Sequence, residues 1–316
     1  MAGESCAQRL DVKADCNGST ERFFVLLDYI SLNGRKEGTF KKGERSRGGE
    51  RSKRGYEDLK AYEMCGKYIT NYYNVKELND NMYKVTYCKM PIKRAGFEDK
   101  TKVNKSRNVN EEKLANNIAR ARTRIFEYAM CNDFEYFITL TINGGLLNRY
   151  DLKEYIKKLG QFIRNYRRDY GADIQYLLIP EKHDDGAWHC HGLIKGIPEG
   201  HLTINKNCYL DWKNYRERFG YCSIDKIRNQ EAVSKYITKY LSKSFDKDKG
   251  VTEKESKLYY CSRGLKKPKK KKEGILSSRQ IEKIPFKYEN EYVKMAMFNA
   301  KEYEYISKVL DDDIMQ

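Results

Sequence analysis

The chain has 316 residues, with 62 Lys and Arg against 45 Asp and Glu, a net charge of +17 and a sequence pI near 9.3. This balance indicates a polyanionic partner, because a basic surface attracts phosphate backbones through Coulomb forces and counterion release. A membrane protein is excluded as an expectation: the longest apolar run, which begins at Phe23, is too short to span a bilayer and contains Asp28. Nine cysteines without regular spacing favour a reducing compartment, so we expect a cytoplasmic protein of a bacterial host cell.

The first third of the chain is divided by composition. Residues 1–33 form an N-terminal segment with one apolar run, and residues 34–55 lose nearly all hydrophobic side chains and fill with Arg, Lys, Gly and Ser. Such a composition is typical of a flexible basic linker. Residues 56–107 contain two runs with strand-like alternation, and they predict a small β-rich accessory region.

The next segment predicts a helix, a strand and a second helix. Apolar residues recur near helical spacing between Asn108 and Cys131, and side chains alternate between apolar and hydroxyl-bearing faces from Phe134 to Ile142. After the turn at Asn143, an amphipathic helix is expected, with Leu152 and Tyr166 at the two ends of its apolar stripe. We therefore expect an α+β fold in which helices cover one face of a central antiparallel sheet and leave the other face for ligand.

A β-hairpin is predicted around Asp184, Asp185 and Gly186, because an Asp-Gly pair between two apolar runs is a strong hairpin signal. If Gly186 takes the left-handed position of a three-residue loop, His183 pairs with Ala187, and Glu181 then lies across from His189.

Alternation along the second strand of this hairpin places His189 and His191 on one face and Cys190 on the other. Glu181 joins the two histidines from the partner strand. Two imidazoles and a carboxylate on one rigid face suit a divalent metal with open coordination positions. All four histidines of the chain, His183 and His201 included, fall in this neighbourhood of the sequence.

A basic helix with two tyrosines is predicted to begin near Asn229. Tyr236, Lys239, Tyr240 and Lys243 fall on one stripe, beside an apolar stripe that can pack on the sheet. A phenol facing a metal can act as a nucleophile on a phosphate, and the two lysines can hold the backbone of the strand being cut. At this stage either Tyr236 or Tyr240 qualifies as the nucleophile.

These motifs resemble those of the HUH endonucleases, and within them the rolling-circle replication initiators of small phages and plasmids. FITLT is similar to the first motif of that family, WHCHGLI to its histidine-hydrophobe-histidine motif and KYITKYLSK to its tyrosine helix, in the same order. SRGLKKP, residues 262–268, resembles a further segment of the phage-type subgroup.

The resemblance implies an RRM-like or ferredoxin-like palm that holds Mg²⁺ or Mn²⁺ on Glu181, His189 and His191. It also implies that a tyrosine attacks a DNA phosphate, which leaves a 5′-phosphotyrosine and a free 3′-OH for replication. The implied partners are single-stranded and origin DNA, together with a host helicase and DNA polymerase, because the sequence contains no GxxxxGK[ST] loop.

The rest of the predicted organisation is an HUH catalytic domain over residues 108–270 and a helical C-terminal segment over 271–316. Three alternatives stay open. One is a single-strand transposase, and one is a relaxase, although Lys195 and Gly196 stand near where relaxases carry a third histidine. The third is a non-catalytic DNA-binding repressor with a structural metal, which a site of only three protein ligands disfavours.

Overall fold

The computed structural model describes residues 68–94, 111–205, 209–243 and 257–311. The predicted N-terminal segment (1–33) and basic linker (34–55) lie outside the described residues, and so do residues 56–67 and 95–107 of the predicted accessory region.

The described secondary structure mixes strands and helices, as the sequence predicts. The strands are β1 (Tyr68–Ile69), β2 (Tyr72–Asn79), β3 (Met82–Cys88), β4 (Ile92–Lys93), β5 (Tyr136–Thr141), β6 (Gln175–Lys182), β7 (Trp188–Lys195), β8 (Leu202–Ile204), β9 (Leu210–Trp212), β10 (Cys222–Lys226), β11 (Tyr260–Cys261), β12 (Lys269–Ile275), β13 (Tyr288–Glu289) and β14 (Val293–Asn299). The α-helices are α1 (Glu111–Cys131), α2 (Leu152–Tyr170), α3 (Lys213–Arg218), α4 (Gln230–Lys243), α5 (Ser278–Lys283) and α6 (Ala300–Asp311).

These elements fall into two compact units. Among the described residues, one unit takes residues 124–267 and the other takes residues 68–123 and 268–311, so the boundary passes through α1. No helix in the described ranges is long and apolar enough to cross a membrane.

The first unit is built on a seven-stranded sheet with the order β11-β6-β7-β5-β10-β9-β8, in which every neighbouring pair is antiparallel. Helix α2 covers one face of it. The helix begins at Asp151, whose carboxylate accepts the Glu154 N–H at 2.8 Å, and it ends at Gly171 in the left-handed conformation. Its buried stripe packs on Ile138, Leu140 and Cys190 of the sheet.

Helix α4 packs on β6 and β7 from the opposite side, because its Tyr240 stacks on His191, whose side chain points away from α2. The expectation that helices cover only one face is therefore wrong. The buried stripe of Ile237 and Leu241 explains the difference, since an apolar stripe of this kind must lie against a sheet or another helix.

The second unit contains a five-stranded antiparallel sheet with the order β12-β2-β3-β14-β13 and a separate pair of short strands, β1 and β4. One apolar cluster joins this sheet to α5 and α6 and includes Val75, Val85, Phe298 and Ile306. The C-terminal segment is helical only in part, because β13, β14 and most of β12 lie within it.

Candidate active site

The β6–β7 hairpin has the predicted register. The His183 N–H donates to the Ala187 carbonyl at 2.8 Å, and Gly186 has a φ of 84°. Glu181 lies directly across from His189, and Ile179 lies across from His191. The loop residues thus determine which side chains meet one turn of the pleat further along the two strands.

Glu181, His189 and His191 converge on this face. Their ligand atoms all lie within 4.8 Å of one another. The Glu181 Oε2 is 3.2 Å from the His189 Nε2 and 3.0 Å from the His191 Nε2, and the two Nε2 atoms are 2.8 Å apart. Cys190 points the other way into the core, where burial raises the pKa of its thiol to about 12. The predicted alternation of faces is confirmed.

The electrostatics of the triad favour a cation. Burial by itself would raise the pKa of the Glu181 carboxyl, but hydrogen bonds and charge from His189 and His191 outweigh it and hold this pKa well below its usual range. Glu181 is therefore a carboxylate, and among the described residues its ion pairs are with these two histidines.

The outer nitrogen of His191 has a partner that fixes its ring. Thr139 Oγ1, on the neighbouring strand β5, lies 3.1 Å from the His191 Nδ1. In the tautomer that donates Nδ1–H to this hydroxyl, Nε2 keeps its lone pair toward Glu181. The donor set of two imidazole nitrogens and one carboxylate oxygen thus fits a divalent ion and leaves coordination positions for a substrate.

The two tyrosines of α4 lie beside the triad. Tyr240 stacks on His191, with ring centroids 3.7 Å apart, and its hydroxyl donates to the Tyr236 Oη at 2.7 Å. Tyr240 is only 8% exposed, whereas Tyr236 is 43% exposed. The Lys239 ammonium lies 5.4 Å from the centre of the Tyr236 ring. The side chain of Lys243 is outside the described part of the chain.

The environments of the two phenols differ. Burial, the hydrogen bond to Tyr236 and the charge of Glu181 raise the pKa of Tyr240 far above its usual value. Tyr240 therefore stays a neutral donor. The start of α4 is fixed by Asn229, whose side chain accepts the Ala232 N–H at 2.9 Å, and by Gln230, which donates to the Asn132 carbonyl at 2.9 Å.

Sequence reasoning missed the contacts that join the two motifs. Phe137 of β5 packs against His191, Tyr236 and Tyr240, with ring centroids 6.2, 5.5 and 6.0 Å away. The alternation of β5 puts Phe137 and Thr139 on one face, but it does not say which strand pairs with β5. The register of β5 on β7 supplies that information.

The other two histidines have separate surroundings. The His183 ring lies 3.9 Å from the His189 ring, at the exposed end of the hairpin. His201 contacts Tyr166 and Tyr170 of α2 instead. The expectation that all four histidines share one neighbourhood is therefore wrong, because the residues after β7 turn toward the α2 side of the sheet.

The comparison with known families agrees with this region. Residues 135–245 match the model of a family described as replication-associated protein ORF2. The matched stretch contains β5, the hairpin and α4, and hence the triad and both tyrosines. No curated protein and no solved structure shows a significant match to the chain. The match is consistent with a role in replication initiation.

Proposed function

We propose that this protein is a replication initiator that nicks one DNA strand at an origin by metal-assisted tyrosine transesterification and later rejoins it. One observation carries the proposal: an exposed phenol, Tyr236, is hydrogen-bonded to a buried phenol, Tyr240, whose ring lies on the histidine pair. The family match over the same residues supports replication as the process.

Tyr236 is the nucleophile in this account. Its Oη attacks the phosphorus, a P–O bond to Tyr236 forms, and the bond from phosphorus to O3′ breaks. The phenolic proton passes to solvent, which reaches Tyr236, and the departing O3′ takes up a proton. The products are a 5′-phosphotyrosine and a free 3′-OH that a polymerase can extend. Because the linkage conserves the phosphodiester energy, a later 3′-OH can rejoin the strand without ATP.

Glu181, His189 and His191 are proposed to hold Mg²⁺ or Mn²⁺. When bound, such an ion supplies positive charge to a phosphate oxygen and so stabilises the charge that develops during attack. Thr139 keeps the His191 ring in the orientation that presents Nε2.

Tyr240 and Lys239 assist Tyr236 in different ways. Tyr240 remains protonated and donates a hydrogen bond that stabilises a phenolate at Tyr236. The Lys239 ammonium near the Tyr236 ring stabilises the same negative charge, and it is placed to contact the DNA backbone. We also retain Lys243 as a backbone contact, on the basis of its position in the sequence. Strand separation and synthesis are assigned to a host helicase and a DNA polymerase.

A metal-ligand series tests the proposal. His189→Ala and His191→Ala should abolish nicking of single-stranded DNA from the gene's own replicon in Mg²⁺ or Mn²⁺, as read on denaturing gels. DNA binding should persist, because the basic surface is unchanged. Glu181→Ala should have the same effect in milder form.

His201→Ala is the matched control, because it removes an imidazole from the same unit at a position packed on α2. It should nick at the parental rate. Parental nicking by both His189→Ala and His191→Ala would rule out the metal site. DNA binding by the parent without cleavage or a covalent adduct would favour the repressor alternative.

A further inference from the structure

A cleft lies at the closed end of the β6–β7 hairpin, beside the triad. It has a volume of about 360 Å³, and its lining includes Thr141, Ile142, Arg149, His183, Asp185 and Trp188. His183 connects it to the triad, because the His183 ring is 3.9 Å from the His189 ring. A group bound in this cleft therefore lies next to whatever occupies the metal site.

Two hydrogen-bond donors of the lining lack partners. The Trp188 Nε1 and the Arg149 Nε are buried, and neither has a hydrogen-bond partner among the described residues. Trp188 is only 1% exposed. A buried N–H without an acceptor costs about 1–3 kcal/mol, so a structure that retains two of them beside one cleft is suited to a ligand that brings acceptors.

The cleft also offers an acceptor and a flat surface. Asp185 is held by an ion pair with Arg149, so donor and acceptor groups stand side by side. Tyr150 is exposed and lies under the Arg149 guanidinium, 5.5 Å from it. A phosphate alone would be repelled by the Asp185 carboxylate, whereas the edge of a nucleobase carries both acceptors and donors.

We infer that this cleft binds one unstacked nucleobase of the strand being cut, adjacent to the scissile phosphate, and reads its edge through Arg149, Asp185 and Trp188. This inference rests on the proposed function for the identity of the ligand. Recognition of single strands commonly works in this way, with a splayed base hydrogen-bonded at its edge and stacked on an aromatic or guanidinium plane. The cleft thus contributes sequence specificity.

Binding selection from a random pool of single-stranded oligonucleotides tests the inference without metal or cleavage. The full-length parent should enrich a short motif. Arg149→Gln and Trp188→Phe should both lose the base preference at one shared position and keep the preferences elsewhere. Trp188→Phe retains most of the ring packing and removes only the N–H, so its effect on selection separates donor loss from a general packing defect.

Arg168→Gln is the control, because Arg168 is an exposed arginine of α2 that pairs with its neighbour Asp169. It should enrich the parental motif. Parental motifs from Arg149→Gln and Trp188→Phe, or the absence of any motif from the parent, would overturn the cleft inference. Failure of the proposed function shows separately, as the absence of a covalent adduct in the presence of Mg²⁺ or Mn²⁺.

Discussion

Thr139 contributes to the candidate site through one hydrogen bond. Its hydroxyl lies 3.1 Å from the ring nitrogen of His191 that is not directed at Glu181. Partners of this kind fix the tautomer and the ring orientation of a metal ligand, and their loss typically lowers metal affinity about 10- to 100-fold. The effect should appear in metal binding before it appears in stability.

Thr139→Val is therefore expected to weaken Mn²⁺ binding about 10-fold or more, because valine has nearly the same shape and lacks the hydroxyl. Isothermal titration with Mn²⁺ measures this. Thr141→Val is the control: Thr141 lies across from His189 one pair further along β5, and within the described ranges no hydrogen bond joins its side chain to a triad residue. Equal Mn²⁺ affinity in both variants and the parent would exclude the positioning role.

Tyr240 and Tyr236 are distinguished by exposure and by the direction of their shared hydrogen bond. Tyr236→Phe should abolish the covalent protein–DNA adduct. Tyr240→Phe keeps the ring on His191 but removes the donor, and a hydrogen bond to a charged group contributes about 1.5–3 kcal/mol. We expect Tyr240→Phe to form the adduct at a rate lowered about 10- to 100-fold.

Quenched-flow sampling followed by denaturing electrophoresis measures both rates. An adduct formed normally by Tyr236→Phe and lost in Tyr240→Phe would exchange the two roles. An adduct that survives in the double variant would place the nucleophile outside α4.

At the scale of elements, the hairpin depends on a close approach of its two strands at Gly192. A Cβ at this position would lie 2.6 Å from the Leu177 carbonyl oxygen and would contact Leu178 Cδ2 even more closely. Gly192 pairs with Leu178 and immediately follows His191, so any shift of the backbone moves a triad residue. The spacing of β6 and β7 and the geometry of the site are therefore coupled.

Gly192→Ala should lower the free energy of unfolding by about 1–3 kcal/mol, the usual cost of overpacking, and should weaken Mn²⁺ binding as well. Urea denaturation with parallel titration checks both. Gly200→Ala, where an added Cβ meets no atom within 4 Å, should change neither quantity. Parental stability in Gly192→Ala would contradict the described pairing.

The hairpin and the tyrosine stripe could be predicted because both follow from local rules. The Asp-Gly loop sets the register, and the pleat then places Glu181 beside His189 and His191. Helical spacing alone puts Tyr236 and Tyr240 on one stripe. The docking of that stripe on His191 could not be predicted, because it depends on which sheet face receives α4, a contact between residues distant in the chain.

At the scale of the whole chain, the same limit applies to the second unit. β12 pairs with β2, and β14 pairs with β3, although about 200 residues separate the partners, as in the pairing of Lys269 with Glu77. Period-two alternation predicted strands on the N-terminal side but carries no information about their partners. The sequence therefore predicts the local elements of this sheet better than its composition.

The central claim concerns a covalent bond to one residue. The chain should be reacted with a single-stranded substrate in Mg²⁺, digested with protease and nuclease, and its modified peptide sequenced by mass spectrometry. The account predicts a nucleotide linked through its 5′-phosphate to Tyr236, and no modified peptide from the His189→Ala protein. A nucleotide on Tyr240 or on any residue outside α4, or nicked DNA with no modified peptide, would contradict it.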